Sequence, residues 1–130
     1  IEKVYNLKGA KGAISIAYAP EEKLLFVVSQ GTDNLQILDA TDGKLKADVK
    51  VGAGPLAVVW EPVRKLAYVA NRGSDSVAVV DVNGNLVANL PGGSYANHVF
   101  TDGKGTVWSV NKARGLNDPQ GDHISRYAAK

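Results

Sequence analysis

The 130-residue sequence contains no cysteine and no methionine. The lack of cysteine excludes disulfides, a thiol nucleophile, cysteine-ligated zinc and a C-x-x-C-H haem attachment from this segment. Long apolar runs are also missing, and because a membrane-spanning helix needs about 18 or more apolar residues in succession, none is predicted. The net charge of +2 is too small to indicate nucleic acid or an anionic membrane by itself.

The sequence does contain a pattern that occurs three times. In the first two copies Tyr18 and Trp60 are 42 residues apart, and the third copy follows at a shift of 40, with Trp108 in the place of Tyr68. A period near forty, filled with short apolar runs and turn residues, is typical of β-propellers, whose blades are four-stranded antiparallel sheets. We therefore expect an all-β fold with about three blades of a propeller.

Each repeat is predicted to contain strands A to D in the same order. In the first repeat these strands are Ile14 to Ala19, Leu24 to Ser29, Leu35 to Ala40, and Leu45 to Val51. Asp42-Gly43 and Asn83-Gly84 are turn residues that tolerate a positive φ, so they predict the C-to-D hairpins. Asp39 and Asp81, which precede these turns, are expected to accept hydrogen bonds from turn amides.

The blade boundaries follow from this order. We expect one blade in residues 9–51, a second in 52–91, a last blade without strand D in 92–130, and strand D of a preceding blade in 1–8. A propeller usually closes with about four to eight blades, so the ring is expected to be incomplete and the chain to be a piece of a longer or processed product. Since apolar blade faces seldom stay exposed, the predicted partners are the remaining blades of its own ring or another copy of the chain.

The second repeat carries a recognisable motif. Leu66-Ala67-Tyr68-Val69-Ala70-Asn71, followed by Asp75 to Asp81 and Asn83-Gly84, resembles the YVTN-type β-propeller repeat. The order of the repeats and the long loop at 112–122 resemble the C-terminal portion of the periplasmic YncE-type seven-bladed propellers. The resemblance implies a periplasmic, bacterial-envelope protein without a known catalytic centre, for which single-stranded DNA binding has been proposed.

One rim of the predicted blades collects basic and aromatic residues. Because blade strands alternate in direction, the D-to-A links and the B-to-C loops emerge on the same rim. The candidate nucleic-acid-binding residues on it are Lys11, Arg72, Tyr95, Asn97, Lys112 and Arg114. Lysine and arginine neutralise phosphates, a tyrosine offers a stacking face and an asparagine a hydrogen-bonding edge. The alternative is a solvated rim of mixed charge, since Asp33, Asp75, Asp118 and Asp122 lie on it too.

The remaining candidate residues are the histidines and the repeated aromatic residues. His98 replaces Ile16 and Val58 on the innermost strand, which predicts a channel-lining imidazole. His123 is expected to be exposed, and two histidines without arranged carboxylates predict no metal site; no cofactor is predicted either. Aromatic residues that recur at one phase of a repeat are expected to pack between blades, and these are Tyr18, Phe26, Trp60, Tyr68, Phe100 and Trp108.

Two classes of function remain open from the sequence. The first is a non-enzymatic binding propeller that uses the basic rim for single-stranded DNA or an envelope partner. The alternative is an enzyme, because seven-bladed propellers also include lactonases and quinone- or haem-linked dehydrogenase domains. In that case His98 would be its best candidate here, and most of the active centre would lie on absent blades.

Overall fold

The computed structural model describes residues 1–119 and 121–128, which form strands in three antiparallel sheets. In each sheet the strands are hydrogen-bonded to their neighbours in chain order. The first sheet contains β1 (Ala13–Ala19), β2 (Leu24–Ser29), β3 (Asn34–Asp39) and β4 (Leu45–Lys50). The second contains β5 (Pro55–Glu61), β6 (Leu66–Asn71), β7 (Ser76–Asp81) and β8 (Leu86–Pro91). The third contains β9 (Ala96–Thr101), β10 (Val107–Asn111) and β11 (His123–Tyr127).

The prediction of an all-β fold with meandering antiparallel sheets is confirmed. In the first sheet the strand boundaries differ from the predicted ones by one residue at most. The helix found in the described part of the chain is a 3₁₀ turn at Arg72–Ser74, and no helix there is long and apolar enough to cross a membrane.

The core lies between the sheets rather than within one. Strands β6 and β7 are buried along most of their length on both faces, which explains their nearly continuous apolar sequence. Between the first and second sheets the rings of Phe26 and Trp60 stack with centroids 5.1 Å apart and planes 19° apart. The second and third sheets enclose a separate cluster that includes Tyr68, Val79 and Val99.

Aspartates hold the turns at the rim opposite the basic one, as predicted for Asp39 and Asp81. Asp39 Oδ1 accepts from the Thr41 amide at 2.8 Å, and Asp81 Oδ1 accepts from the Asn83 and Asn85 amides at 2.9 Å each. The Asn85 side chain also donates to Asp81 Oδ2 at 3.0 Å. These hydrogen bonds, with that from the Asn85 side chain the largest cause, lower the pKa of Asp81 from its ordinary value of 3.8.

Residues 1–8, expected to be strand D of a preceding blade, form no strand, because no strand of the described residues pairs with them. They nevertheless lie against the first sheet, where the Tyr5 hydroxyl donates to the Thr41 carbonyl at 3.1 Å. The Tyr5 ring lies close to Gly43, where an added Cβ would meet it. In the next repeat an added Cβ on Gly84 would meet Ala47, which is the counterpart of Tyr5 at a shift of 42 residues. The segment therefore lies on the first sheet as β4 lies on the second.

The expectation that all six repeated aromatic residues are core is wrong for two of them. Tyr18 is 55% exposed and Phe100 62% exposed, and the Trp108 side chain is half-buried. Phe26, Trp60 and Tyr68 are buried, because each lies on a face that another sheet covers. Tyr18 lies on the outer face of the first sheet instead.

Phe100 is exposed because strand A of the third repeat is displaced by one residue. Val58 lies opposite Val69, and Val99 lies opposite Ser109, so Val99 and not His98 is the counterpart of Val58. A shift of one residue moves every side chain of a strand to the other face. His98 and Phe100 therefore lie on the face of the third sheet that points away from the second.

Contact between sheets can be tested at Gly84. Gly84 (φ +86°) and Gly103 (φ +71°) both have left-handed backbone, but a Cβ would meet Ala47 Cβ at 2.7 Å only at Gly84, and nothing within 4 Å at Gly103. We expect Gly103→Ala to reduce the free energy of unfolding by about 1–2 kcal/mol through backbone strain. Gly84→Ala should reduce the free energy of unfolding by about 1–3 kcal/mol more than Gly103→Ala does, because the added methyl group also overpacks the contact between the first two sheets. Equal losses in urea unfolding would contradict this packing.

The turn aspartates predict a pH dependence of stability. Because the folded pKa of Asp81 is lowered from 3.8, its contribution is fully present above that value and is lost as pH falls through the folded pKa. Asp81→Ala should reduce the free energy of unfolding by about 1 kcal/mol at neutral pH, and the difference from the parent protein should shrink in acid. Asp81→Asn is the matched control, since it keeps an acceptor oxygen that does not titrate. If the difference in free energy of unfolding between the parent protein and Asp81→Ala does not change with pH, the ionised Asp81 carboxylate does not contribute to stability.

Candidate nucleic-acid interface

The basic rim is built from the same pair of segments in each sheet. An amide of each B-to-C loop donates to a carbonyl of the D-to-A link that precedes the same sheet. These hydrogen bonds run from Gln30 to Gly12 at 2.9 Å, from Arg72 to Gly54 at 3.1 Å, and from Lys112 to Tyr95 at 3.1 Å. Gln30, Arg72 and Lys112 are therefore counterparts, and so are Gly12, Gly54 and Tyr95.

Tyr95 occupies a backbone position that glycine fills in the other two links. Its φ is +46°, compared with +68° at Gly12 and +58° at Gly54. The repeat shifts of 40 and 42 residues would instead align Tyr95 with Pro55 and Ala13, so this link is displaced by one residue from the repeat. A left-handed conformation costs a residue with a Cβ about 1–2 kcal/mol, so the tyrosine is held in a strained position.

Asp75 fixes the backbone of this link. Its Oδ1 accepts from the Tyr95 amide at 2.9 Å, and in the preceding sheet Asp33 Oδ1 accepts from the Gly54 amide at the same distance. The other carboxylate oxygen of Asp75 forms an ion pair with Arg114. One aspartate therefore orients both the tyrosine and an arginine of the long loop.

Two guanidinium groups contact the Tyr95 ring. The Cζ of Arg72 lies 4.7 Å from the ring centroid and that of Arg114 lies 4.9 Å from it. Each such cation–π contact contributes about 0.5–1 kcal/mol at an exposed site. Arg72 is exposed and, within residues 1–119 and 121–128, forms no ion pair. We call Arg72, Tyr95 and Arg114, with the supporting Asp75, the Tyr95 cluster.

The long loop after β10 is held by its own carboxylates. Asp122 Oδ1 accepts from the Ala113 amide at 2.7 Å, and Asp118 Oδ2 accepts from the Arg114 amide at 2.8 Å. These two acidic residues of the mixed-charge rim thus order the backbone around the basic ones. Between this loop and the Tyr95 cluster lies an open groove of about 800 Å³, lined by Arg114 and Asp75 among others.

The other predicted residues are only partly brought together. Asn97 and the exposed Lys112 line a second recess of about 570 Å³, together with Val110, His123 and Ile124 of the third sheet. Asn97 Oδ1 is buried and has no hydrogen-bond partner in the described part of the chain. Lys11 belongs to the link of the first sheet, where its amide donates to Thr32 Oγ1 at 3.2 Å, and it is not part of the cluster.

The histidines do not form a site with each other. The exposed His98 lies on β9 opposite Val110, and its role as a channel-lining residue stays a prediction. His123 is half-buried rather than exposed, with Nδ1 at 3.1 Å from the Gly121 carbonyl oxygen. Among the described residues no three histidine, cysteine, aspartate or glutamate side chains are grouped so that they could hold a metal ion.

Sequence reasoning missed the role of Asp75. The available signal was its recurrence, since Asp33 precedes strand C of the first repeat as Asp75 precedes strand C of the second. Both aspartates have a φ of +52°, a conformation that aspartate tolerates better than most residues.

No family model matches the chain, and no curated protein matches it. The YVTN-type repeat and the periplasmic location therefore stay predictions. Among solved structures, the hydrazine synthase of Kuenenia stuttgartiensis is similar with a TM-score of 0.79 and 22% identity, over 99% of this chain and 36% of that one. A chain of a nidogen/laminin complex is similar with a TM-score of 0.77 and 13% identity, over 97% of this chain and 48% of that one.

Both of these structures contain propellers, and at such low identity the likeness concerns the fold alone. The chain spans between about a third and a half of the solved chains that it matches. Together with the three consecutive antiparallel sheets, the likeness identifies the fold of this chain as that of a β-propeller.

Proposed function

We propose that this chain is a non-enzymatic binding protein and that the Tyr95 cluster holds single-stranded DNA. The proposal depends on one observation: a tyrosine occupies the left-handed position that is glycine in both other links, and two guanidinium groups contact its ring. Backbone strain persists where the surroundings impose it, and such positions concentrate at binding sites. The strain at Tyr95 is thus readily explained by a ligand-binding role.

The chemistry of the cluster suits a single strand. An exposed guanidinium that lies over an aromatic ring offers its N–H groups to phosphate and its planar outer face to a base. Arg72 is available for both, whereas Arg114 is partly neutralised by Asp75. Lys112, whose backbone amide donates to the Tyr95 carbonyl, adds a second cation for the phosphates of the same strand.

The neighbouring recess adds a hydrogen-bonding group. The half-buried Asn97 lines this recess, and a side-chain amide can form hydrogen bonds with the edge of a base. On this proposal the phosphates contact Arg72 and Lys112, and a base reaches Asn97. The resemblance of the repeat supports the bacterial envelope as the compartment of this binding protein.

The binding site can be tested by replacing Tyr95 with the glycine that occupies the same position in the other two D-to-A links. Tyr95→Gly introduces the residue found at Gly12 and Gly54, so it should relieve strain and leave the fold intact. We expect it to weaken the binding of a fluorescent oligothymidine about fivefold to 150-fold, as for the loss of one stacked base. Fluorescence anisotropy measures the affinity, and circular dichroism checks the fold. Unchanged affinity in a folded Tyr95→Gly protein would contradict the proposal.

The phosphate contacts can be tested through their salt dependence. Gln30 is the counterpart of Arg72 and Lys112, so the double variant Arg72→Gln/Lys112→Gln uses a residue that this position accepts. The slope of log affinity against log salt should fall by about 1.4, because each phosphate contact on a single strand contributes about 0.7. Lys44→Gln/Lys104→Gln removes the same charge from loops at the opposite rim and should leave the slope unchanged. Equal slopes for both double variants would exclude the Tyr95 cluster as the site.

A further inference from the structure

Asp75 makes two contacts at the Tyr95 cluster, and the two have different purposes. Its Oδ1 accepts from the Tyr95 amide at 2.9 Å, and its Oδ2 forms an ion pair with the Arg114 guanidinium. The first contact holds the backbone of a D-to-A link, whereas the second holds a side chain of the long loop. The question is what the second contact adds.

The first sheet shows that the link does not need the ion pair. Asp33 is the counterpart of Asp75: its Oδ1 accepts from the Gly54 amide at 2.9 Å, and both aspartates have a φ of +52°. Among residues 1–119 and 121–128, Asp33 forms no ion pair. The same link is thus held without an arginine, so the pairing with Arg114 is a separate feature of Asp75.

This ion pair occupies one of the two arginines of the cluster. Arg72 and Arg114 lie at similar distances from the Tyr95 ring, with Cζ 4.7 Å and 4.9 Å from its centroid. Within the described part of the chain, Arg114 is paired with a carboxylate and Arg72 is not. The two guanidinium groups therefore differ in one respect, which is that Arg114 already has an anion.

A phosphate that approaches Arg114 competes with Asp75. A guanidinium binds carboxylate and phosphate with the same planar arrangement of N–H groups, so the donors that hold Asp75 are not available to a ligand. The side chains of Arg114 and Asp75 are 50% and 33% exposed, and both line the open groove of about 800 Å³. A phosphate in the groove therefore meets the ion pair directly, and the carboxylate repels it.

We infer that Asp75 is an internal competitor of the ligand, which limits the affinity of the site by keeping Arg114 from the phosphates. The inference rests on the proposed binding of single-stranded DNA by the Tyr95 cluster. In the free protein the ion pair neutralises one of the positive charges of the cluster. When the pair is removed, Arg114 becomes a further phosphate contact beside Arg72 and Lys112, and the strand binds more tightly.

Asp75→Asn tests the inference because it removes the ion pair and keeps the link. Asparagine tolerates left-handed backbone as aspartate does, its Oδ1 still accepts from the Tyr95 amide, and its neutral amide does not pair with Arg114. Fluorescence anisotropy should show that the variant binds oligothymidine about two- to fivefold more tightly, as for the loss of one exposed ion pair. The slope of log affinity against log salt should steepen by about 0.7, as for one more phosphate contact.

Asp33→Asn is the matched control, since it removes the same charge from the same rim and keeps the equivalent hydrogen bond to Gly54. It should change neither the affinity nor the slope. In Asp75→Asn/Arg114→Gln the gain in slope should disappear. An equal gain in Asp33→Asn would overturn the inference, because the charge of the rim would then explain it, and so would a gain in slope that persists without Arg114.

These measurements also separate the inference from the proposed function. If the parent protein binds the oligothymidine and Asp75→Asn binds it no more tightly, the inference is overturned and the proposed function stands. If only Asp75→Asn binds, Asp75 blocks the site as inferred and the proposed function is overturned; if neither binds, both are. Should circular dichroism show that Asp75→Asn is unfolded, Asp75→Gly gives the same comparison, since glycine adopts the positive φ without steric cost.

Discussion

Burial of both faces of a sheet against other sheets is the constraint on which this structure depends. A single four-stranded sheet of this sequence has apolar residues on both sides, as β6 and β7 show, and neither side can be left to water without losing about 1.5–3 kcal/mol for each large side chain. The stacked rings of Phe26 and Trp60 illustrate the solution, in which one sheet supplies half of the core of the next. The position of every link and loop on the rim follows from this face-to-face succession.

The links and loops on the basic rim differ in sequence from one repeat to the next, whereas the sheets that carry them keep the same order of paired strands. Each link is tied to its own B-to-C loop by a repeated amide-to-carbonyl bond, and an aspartate of one sheet holds the link to the next. With the backbone fixed in this way, one position can be glycine in two links and tyrosine in the third. The Tyr95 cluster is thus a local departure on a repeated frame, where proteins commonly place binding residues.

Much of the fold could be predicted from the sequence, since the repeat, the turn residues and the alternation of apolar runs all indicate the same strands. The faces of the third repeat could not be predicted in the same way, because its strand A is displaced by one residue. Periodicity alone assigns Phe100 to the repeat position of Trp60, whereas the strand register makes it the counterpart of Val59. The candidate site could be predicted only as a set of residues on one rim. That Arg72 and Arg114 both reach the ring of Tyr95, while Lys11 does not belong to this group, depends on loop geometry that a single sequence does not specify.

The central claim is that neighbouring sheets stabilise each other through their faces, and a double-mutant cycle between Phe26 and Trp60 tests it most directly. The parent protein, Phe26→Leu, Trp60→Leu and the double variant would be unfolded in urea and their free energies of unfolding compared. We predict a coupling energy of about 0.5–1.5 kcal/mol, as measured for aromatic pairs in contact. A coupling of zero within error would contradict the claim, because the two residues would then belong to sheets that do not pack on each other.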